Sequence, residues 1–202
     1  CGVKKLHSAE HTVIPDRIIA STYMAAASVT GGDVRILDTR AEHITPVIPV
    51  FEQAGCKVDC GENSVHISAP VRLRSVQTVR TMPYPGFPTD SQAAVMAMLS
   101  VAHGTSVMIE NIFENRYRHV RELCRLGADI MTEGKVAVIK GVETLTGACV
   151  CAADLRAGTA LAVAGLAAQG STIIENVSLI DRGWQDMEEK LRSLGAEIER
   201  ES

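Results

Sequence analysis

Apolar residues follow two alternating patterns that recur three times along the chain. Short β-branched segments that begin at a glycine, at 31–37, 104–110 and 170–176, are typical of strands. Each follows a segment rich in small apolar residues, such as AAVMAMLSVA (93–102) and ALAVAGLAAQ (160–169). Because these segments are apolar nearly all round, they predict helices buried on several sides.

A second set of glycines repeats with the same period. Gly55, Gly127 and Gly195 are 72 and then 68 residues apart, so the repeat is about 70 residues long. The residues that follow the first two predict hairpins at 57–68 and 129–140. The third unit ends at EIERES and lacks a partner strand. Either its edge stays open or another part of a longer chain supplies the strand.

Each unit opens with a strand-like segment that ends on an aspartate, which is Asp16, Asp90 or Asp154. A unit is therefore expected to run strand, helix, strand, helix and then a strand or strand pair. The predicted units cover about 2–69, 70–140 and 141–202. We interpret them as one domain that mixes helices and strands, of the α/β (α+β) class.

The composition is that of a globular protein, with 46% hydrophobic and 22% charged residues. The net charge of -4, with Lys and Arg scattered among acids, argues against nucleic acid and anionic membranes as partners. No long uncharged apolar run occurs and the first residues do not resemble a signal peptide, so a cytoplasmic location is expected. Because the chain starts at Cys1 rather than Met, we expect a piece of a longer protein.

Cysteine and histidine give no sign of a metal site. No CxxC pair occurs, so buried free thiols are expected rather than zinc ligands or disulfides. His7 and His11 lie in a strand-like segment that would not place both imidazoles on one helical face. We therefore expect no metal and no cofactor. The six cysteines are Cys1, Cys56, Cys60, Cys124, Cys149 and Cys151.

The second unit carries the largest insertion, TMPYPGFPTDSQ (81–92), in which three prolines and a glycine hold Asp90 at a helix entrance. Asp90 or Thr89 could cap the free amides of that helix. Alternatively, Asp90 could accept a proton from a substrate hydroxyl. The local residue types favour the cap.

Arginines mark two further departures from the repeat. Four of them, beginning with Arg116, lie between positions 116 and 125, where the usual explanation is a solvated helix face. Arg156 lies in the first turn of an otherwise uncharged helix, where either Asp154 or an anionic ligand would offset its charge. The guanidinium fork matches carboxylate and phosphate groups.

A fourth departure, SLIDRGWQDMEE (178–189), places Arg182 on a strand-to-helix turn. Together the four departures resemble, in order and spacing, the C-terminal half of the UDP-N-acetylglucosamine 1-carboxyvinyltransferase family of enolpyruvyl transferases. The motifs that carry the resemblance are YPGFPTDSQA, FENRYRHVREL, ADLRAG and IDRGWQDMEEKLRSLGAEIER, and they span nearly all of the chain.

The resemblance implies an inside-out α/β barrel of three βαβαββ repeats, with helices inside and sheets outside. It also implies transfer of the enolpyruvyl group of phosphoenolpyruvate to the 3-hydroxyl of UDP-N-acetylglucosamine, the first committed step of peptidoglycan synthesis. Asp90 would contact that hydroxyl and accept its proton, which reverses the local preference for a cap. The other residues implied are Ile112 at the nucleotide sugar, Arg116, Arg156 and Arg182 at the phosphate and carboxylate, and Asp154 orienting Arg156.

The family's Lys-Asn pair and its mobile loop with a reactive cysteine have no match in this sequence. We therefore expect a single domain whose two substrates are shared with a second, missing domain, and which is inactive alone. Two alternatives remain open: a 5-enolpyruvylshikimate-3-phosphate synthase-type enzyme and a non-catalytic binding or scaffold module. Family members act as monomers, whereas an isolated domain with an open edge could self-associate.

Overall fold

The computed structural model describes residues 2–201, which form eight helices and eleven strands. The helices are α1 (Arg17–Val29), α2 (Ala41–Ile44), α3 (Ile48–Gln53), α4 (Thr89–Leu99), α5 (Val120–Arg125), α6 (Leu155–Ala167), α7 (Ser178–Asp181) and α8 (Met187–Ser193). The strands are β1 (Asp33–Leu37), β2 (Lys57–Cys60), β3 (Ser64–Ser68), β4 (Thr78–Arg80), β5 (Thr105–Ile109), β6 (Asp129–Glu133), β7 (Val136–Lys140), β8 (Leu145–Thr146), β9 (Cys149–Cys151), β10 (Ala168–Gln169) and β11 (Ile173–Glu175).

Helices α1, α4 and α6 pack against one another, and each contributes mostly small buried side chains. The prediction of buried Ala-rich helices is confirmed. Every residue of α4 from Ser91 to Leu99 is buried. Because alanine adds little bulk, the helices approach closely, and larger methionine and leucine side chains fill the remaining space. Close approach also explains Gly158 in α6, where an added Cβ would lie 2.5 Å from Ile180 Cγ1.

The first turns of these three helices lie together at one end. Ser21 Oγ in α1 lies 2.7 Å from Ser91 Oγ in α4, and this hydrogen bond is buried. Arg156 Nε in α6 lies 3.2 Å from Asp90 Oδ1 in α4. The loops that precede the helices therefore converge on the same end of the domain.

The strands form small sheets that pack against the helices. One sheet has the order β1-β3-β2 and another the order β4-β5-β7-β6, while β8 with β10 and β9 with β11 form parallel pairs. Both predicted hairpins are confirmed, with Val58 opposite Ile67 and Met131 opposite Val138. Alternate side chains face the core, because Val65 and Ile67 are fully buried while their neighbours are not.

Two predicted strands are absent from the described part of the chain. Residues 2–16 form no strand and are almost entirely exposed, whereas the equivalent β4 and β9 pair with β5 and β11. A strand needs a neighbour for its backbone groups, and β1 pairs with β3 alone. After Gly195, the carbonyl of Ile198 accepts hydrogen bonds from the Arg192 guanidinium at 3.0 and 2.8 Å instead of joining a sheet.

The prediction of buried thiols is wrong for most of the described cysteines. Cys56 is buried, Cys151 is half-buried, and Cys60, Cys124 and Cys149 are exposed. All five are free thiols, and Cys1 lies outside the described residues. None of the helices within residues 2–201 has the length and apolar character that a membrane crossing needs.

Candidate active site

Asp90 lies in the first turn of α4 between two guanidinium groups. Arg116 Nη2 donates to Asp90 Oδ1 at 2.6 Å, and Arg156 Nε lies 3.2 Å from the same oxygen. The Asp90 side chain is 41% exposed, so a ligand can still reach it, whereas the two arginines are 21% and 22% exposed. The structure thus brings together three residues that the sequence places in separate repeats or loops.

Asp90 differs from the aspartates at the equivalent positions of the other two units. Asp16 caps α1 by accepting from the amide of Ile18 at 2.7 Å, and Asp154 caps α6 by accepting from the amide of Ala157 at 2.8 Å. In α4 the N-cap residue is Pro88, which makes no side-chain cap hydrogen bond. The cap predicted locally for Asp90 or Thr89 is therefore wrong, and the Asp90 carboxylate is used elsewhere.

The role expected for Asp154, orienting Arg156, is not what the contacts show. Asp154 makes no ion pair among the described residues, and its carboxylate is taken up by the helix cap. The Arg156 guanidinium turns to Asp90 instead. Physically, the amides of the first turn of α6 compete successfully for Asp154, which leaves Asp90 as the acid that offsets the charge of Arg156.

Arg116 is held by the loop between β5 and α5. Its guanidinium lies over the Phe113 ring, 5.0 Å from the centroid. Tyr117 anchors the loop, because its hydroxyl lies 3.1 Å from the Met108 carbonyl oxygen and 3.0 Å from that of Lys135. The remaining basic residues of this segment are exposed, as expected for a solvated face, namely Arg118, Arg121 and Arg125.

Ile112 lies in the same loop between β5 and α5, before Arg116, and is 37% exposed. Its amide points inward and donates to Glu110 Oε1 at 2.8 Å. Glu110 is only 1% exposed, and nothing in the sequence indicates its role beyond its position directly after a strand. A charged residue that ends an alternating strand is usually solvated, and for this reason sequence reasoning missed Glu110.

Asp90, Arg116 and Arg156 are called the cluster below. His119 lies buried behind it, at 2% exposure. Its Nε2 lies 3.2 Å from the Met96 sulfur on α4. Burial lowers the pKa of His119 to about 4; the charge of Asp154 opposes that shift, and the charge of Arg116 adds to it. The imidazole is therefore neutral at pH 7, and it is a second buried polar group that sequence reasoning missed.

Arg182 follows α7 and is exposed. It lines a hollow of about 770 Å³ together with Trp184, Lys190 and Arg200. The next residue, Gly183, packs on the first turn of α6, where an added Cβ would lie 2.7 Å from Leu155 Cδ2. Within residues 2–201 no hydrogen bond or ion pair joins Arg182 to Asp90, Arg116 or Arg156.

In this α/β fold a carboxylate lies between two guanidinium groups at the ends of packed helices. Guanidinium groups bind phosphate and carboxylate groups, so the site defines a class of protein suited to anionic substrates. The chain belongs to the EPSP synthase (3-phosphoshikimate 1-carboxyvinyltransferase) family, whose sequence profile matches residues 1–191.

Two curated relatives share about half of their aligned residues with this chain. UDP-N-acetylglucosamine 1-carboxyvinyltransferase 1 of Caldanaerobacter subterraneus subsp. tengcongensis is 52% identical over 199 residues, and UDP-N-acetylglucosamine 1-carboxyvinyltransferase of Geotalea daltonii is 49% identical over 199 residues. Each alignment covers 98% of this chain and 48% of the relative. The chain thus spans about half the length of the curated relatives it matches.

Solved structures agree on the fold. The enolpyruvyl transferase NikO from Streptomyces tendae superposes with a TM-score of 0.84 at 28% identity, over 94% of this chain and 45% of that protein. An EPSP synthase from Acinetobacter baumannii superposes with a TM-score of 0.73 at 19% identity, over 95% of this chain and 44% of that protein. The mixed α/β class expected from the sequence is confirmed.

Proposed function

We propose that this chain is one domain of an enzyme that transfers the enolpyruvyl group of phosphoenolpyruvate to the 3-hydroxyl of UDP-N-acetylglucosamine. Two observations support the proposal. Relatives at 48% and 52% identity carry the name of that transferase. The observation that carries most weight is the Asp90 carboxylate held between Arg116 and Arg156 in an accessible position. The reaction belongs to peptidoglycan synthesis and hence to cell wall formation.

The proposed architecture is a single inside-out barrel domain of three repeats that cover about 2–69, 70–140 and 141–202. It is supported by the mutual packing of α1, α4 and α6 and by the sheets around them. A second domain, beyond this chain, would close over the helix ends and share both substrates. We place the enzyme in the cytoplasm, where a nucleotide sugar and phosphoenolpyruvate are available, and we assign it no metal.

In this proposal Asp90 accepts the proton of the sugar 3-hydroxyl while the hydroxyl oxygen forms a bond to the enolpyruvyl carbon. The phosphate group leaves with the bonding electrons of the broken C–O bond. Arg116 and Arg156 bind the anionic phosphate and carboxylate through charge-assisted hydrogen bonds. Because both guanidiniums already contact Asp90, substrate binding redistributes existing hydrogen bonds rather than recruiting distant residues.

The remaining roles follow the geometry of the same end of the domain. Arg182 would approach the anions from the α7 turn, which packs on the first turn of α6. The backbone of Ile112 would contact the nucleotide sugar, since the residue is partly exposed and its amide is fixed from inside. Asp154 would support the site indirectly, by capping the helix that carries Arg156.

The function is tested by reconstitution with the half of the 52% identical Caldanaerobacter relative that this chain does not match. The chain alone is expected to release no more than a trace of phosphate from phosphoenolpyruvate. The mixture, called here the reconstituted enzyme, is expected to release phosphate only when UDP-N-acetylglucosamine is present. Shikimate 3-phosphate serves as the control acceptor. Turnover with shikimate 3-phosphate but not with the nucleotide sugar would refute the proposed substrate.

Asp90→Asn tests the proton acceptor. The amide is nearly isosteric but a far weaker base, so turnover of the reconstituted enzyme is expected to fall by about 100-fold or more. The circular dichroism spectrum and melting temperature should stay close to those of the unsubstituted chain. Asp129→Asn, at an exposed position on β6, is the matched control and should retain full activity. Activity near normal in Asp90→Asn would show that another group accepts the proton.

A further inference from the structure

Glu110 is a buried carboxylate without a cationic partner. It is 1% exposed, and no ion pair reaches it from any other described residue. A buried carboxylate costs several kcal/mol unless it is compensated, so its hydrogen bonds must carry that burden. Four donors supply them, at distances between 2.8 and 3.1 Å. They are the hydroxyls of Thr81 and Thr89 and the amides of Ile112 and Phe113.

These donors come from different segments of the site. Thr81 follows β4, and Thr89 is the first residue of α4, directly before Asp90. The two amides belong to the loop that leads to Arg116. The Glu110 carboxyl group therefore contacts both ends of the proline-containing segment between β4 and α4. It also contacts the loop between β5 and α5, on the opposite side of the cluster.

The two carboxylate oxygens divide this work unequally. Among residues 2–201, Oε1 accepts from Thr81 and from both loop amides, while Oε2 accepts from Thr89 alone. The Oε1 contacts hold the loop and strand, and the Oε2 contact ties the helix start to them. The bond to Thr89 is thus the only side-chain link from this carboxyl to the helix that carries Asp90.

We propose that Glu110 is a positioning residue that fixes Asp90 relative to the Ile112 backbone through the geometry of its hydrogen bonds. This inference rests on the proposed function, because it assigns Glu110 to the assembly of that active site. The reacting hydroxyl would lie between the two elements that Glu110 joins, and an error of about 1 Å in such a placement can lower a rate about 100-fold.

The effect of the hydrogen-bond geometry of Glu110 can be separated from the effect of its charge, because glutamine keeps the shape of glutamate. In Glu110→Gln the amide oxygen can retain the three donors on the Oε1 side. The NH2 group can then donate to the Thr89 hydroxyl, which reverses its role from donor to acceptor. Each of the four residues that contact Glu110 keeps a hydrogen bond to position 110 while the negative charge is removed, so a residue that acts by position should tolerate the change.

The test compares substitutions in the reconstituted enzyme. Glu110→Gln is expected to keep kcat within about threefold of the unsubstituted value, since each hydrogen bond has a substitute. Thr89→Val removes only the link to α4 and should lower kcat by about 10-fold or more with a smaller change in KM. Thr89→Ser restores the hydroxyl and should restore kcat. Glu133→Gln, at an exposed position on β6, is the matched control.

A second measurement does not depend on turnover. Amide hydrogen exchange of Ile112 and Phe113 in the chain itself should be unchanged in Glu110→Gln and at least about 10-fold faster in Glu110→Ala, because the acceptor is lost. If the unsubstituted enzyme shows no turnover, the proposed function fails, and the exchange data still decide whether Glu110 holds the loop.

Two results would overturn the positioning role. One is a normal kcat in Thr89→Val. The other is a loss of kcat in Glu110→Gln as large as that in Glu110→Ala, which would make the charge the essential feature. Glu110→Ala leaves up to four buried donors unsatisfied and risks unfolding, so the Thr89→Val and Thr89→Ser pair decides the question if that variant does not fold.

Discussion

At the scale of single residues, burial sets the protonation state of His119, which lies behind the cluster. His119 has a pKa of about 4 in the folded chain because burial penalises its charged form, whereas an unfolded histidine titrates near pH 6.5. The unfolded state therefore binds more protons between these values. The stability associated with a neutral His119 is complete above pH 6.5 and is lost as the pH falls towards 4.

Replacing His119 with leucine should make the chain less sensitive to acid. The histidine is expected to cost on the order of 3 kcal/mol of unfolding free energy between pH 7 and pH 4, and the substitution removes that cost. Urea unfolding at pH 7, 5.5 and 4 measures the effect. His103→Gln, at an exposed site, is the control. An equally steep loss of stability in His119→Leu would contradict the assignment.

The sequence predicted Asp90, Arg116 and Arg156 as site residues, and the structure brings these three together. They could be predicted because the segments that carry them depart from the repeat and together resemble a known enzyme family. Local residue types alone favoured a helix cap for Asp90 and a solvated face for Arg116. Glu110 could not be predicted, because its four donors come from residues up to 29 positions away and only the fold brings them together.

At the scale of elements, the hairpins and the strands predicted at 31–37, 104–110 and 170–176 are confirmed, whereas the strands predicted in 2–16 and after Gly195 are not. The hairpins at 57–68 and 129–140 contain both partners and the turn, so the local pattern specifies them. A strand in 2–16 or after Gly195 requires a neighbour that the local pattern does not contain. Repeat periodicity alone therefore overestimated how far the three units are alike.

Residues 196–201 form no strand, and ion pairs of Arg200 hold this segment against the rest of the protein. The Arg200 guanidinium contacts both carboxylate oxygens of Asp181 at 3.0 and 2.7 Å and Glu188 at 2.6 Å. Hydrogen bonding from Arg200 lowers the pKa of both acids. The contacts should therefore persist above the ordinary carboxyl pKa and be lost as the pH falls through the lowered values.

Arg200→Gln should release this segment without unfolding the domain. Amide exchange of residues 196–200 is expected to become about 10-fold faster, because the segment can then open without breaking the Arg200 ion pairs. The melting temperature should change little, since exposed ion pairs contribute only about 0–1 kcal/mol. Arg121→Gln on α5 is the control. Unchanged exchange in Arg200→Gln would mean that the Arg192 contact with Ile198 is sufficient.

At the scale of the whole molecule, the tight packing of α1, α4 and α6 sets how far the core can be altered. Ala160 in α6 is fully buried, and α6 packs against both other helices. Ala160→Leu is expected to destabilise the chain by about 1–3 kcal/mol, because added methylene groups force the helices apart. Thermal unfolding measures the loss. Ala9→Leu, in the exposed first segment, should be neutral, and stability retained in Ala160→Leu would argue against close helix packing.

Asp16, Asp90 and Asp154 hold corresponding places in the three units, but only two of them cap their helices. A molecule assembled from identical copies would have three equivalent caps and no reason to place chemistry at one of them. Release of Asp90 from capping breaks that symmetry, with Glu110 and Thr89 holding the helix start in its place. In a protein built of similar units, the unit that departs from the others is where a binding or catalytic role should be sought.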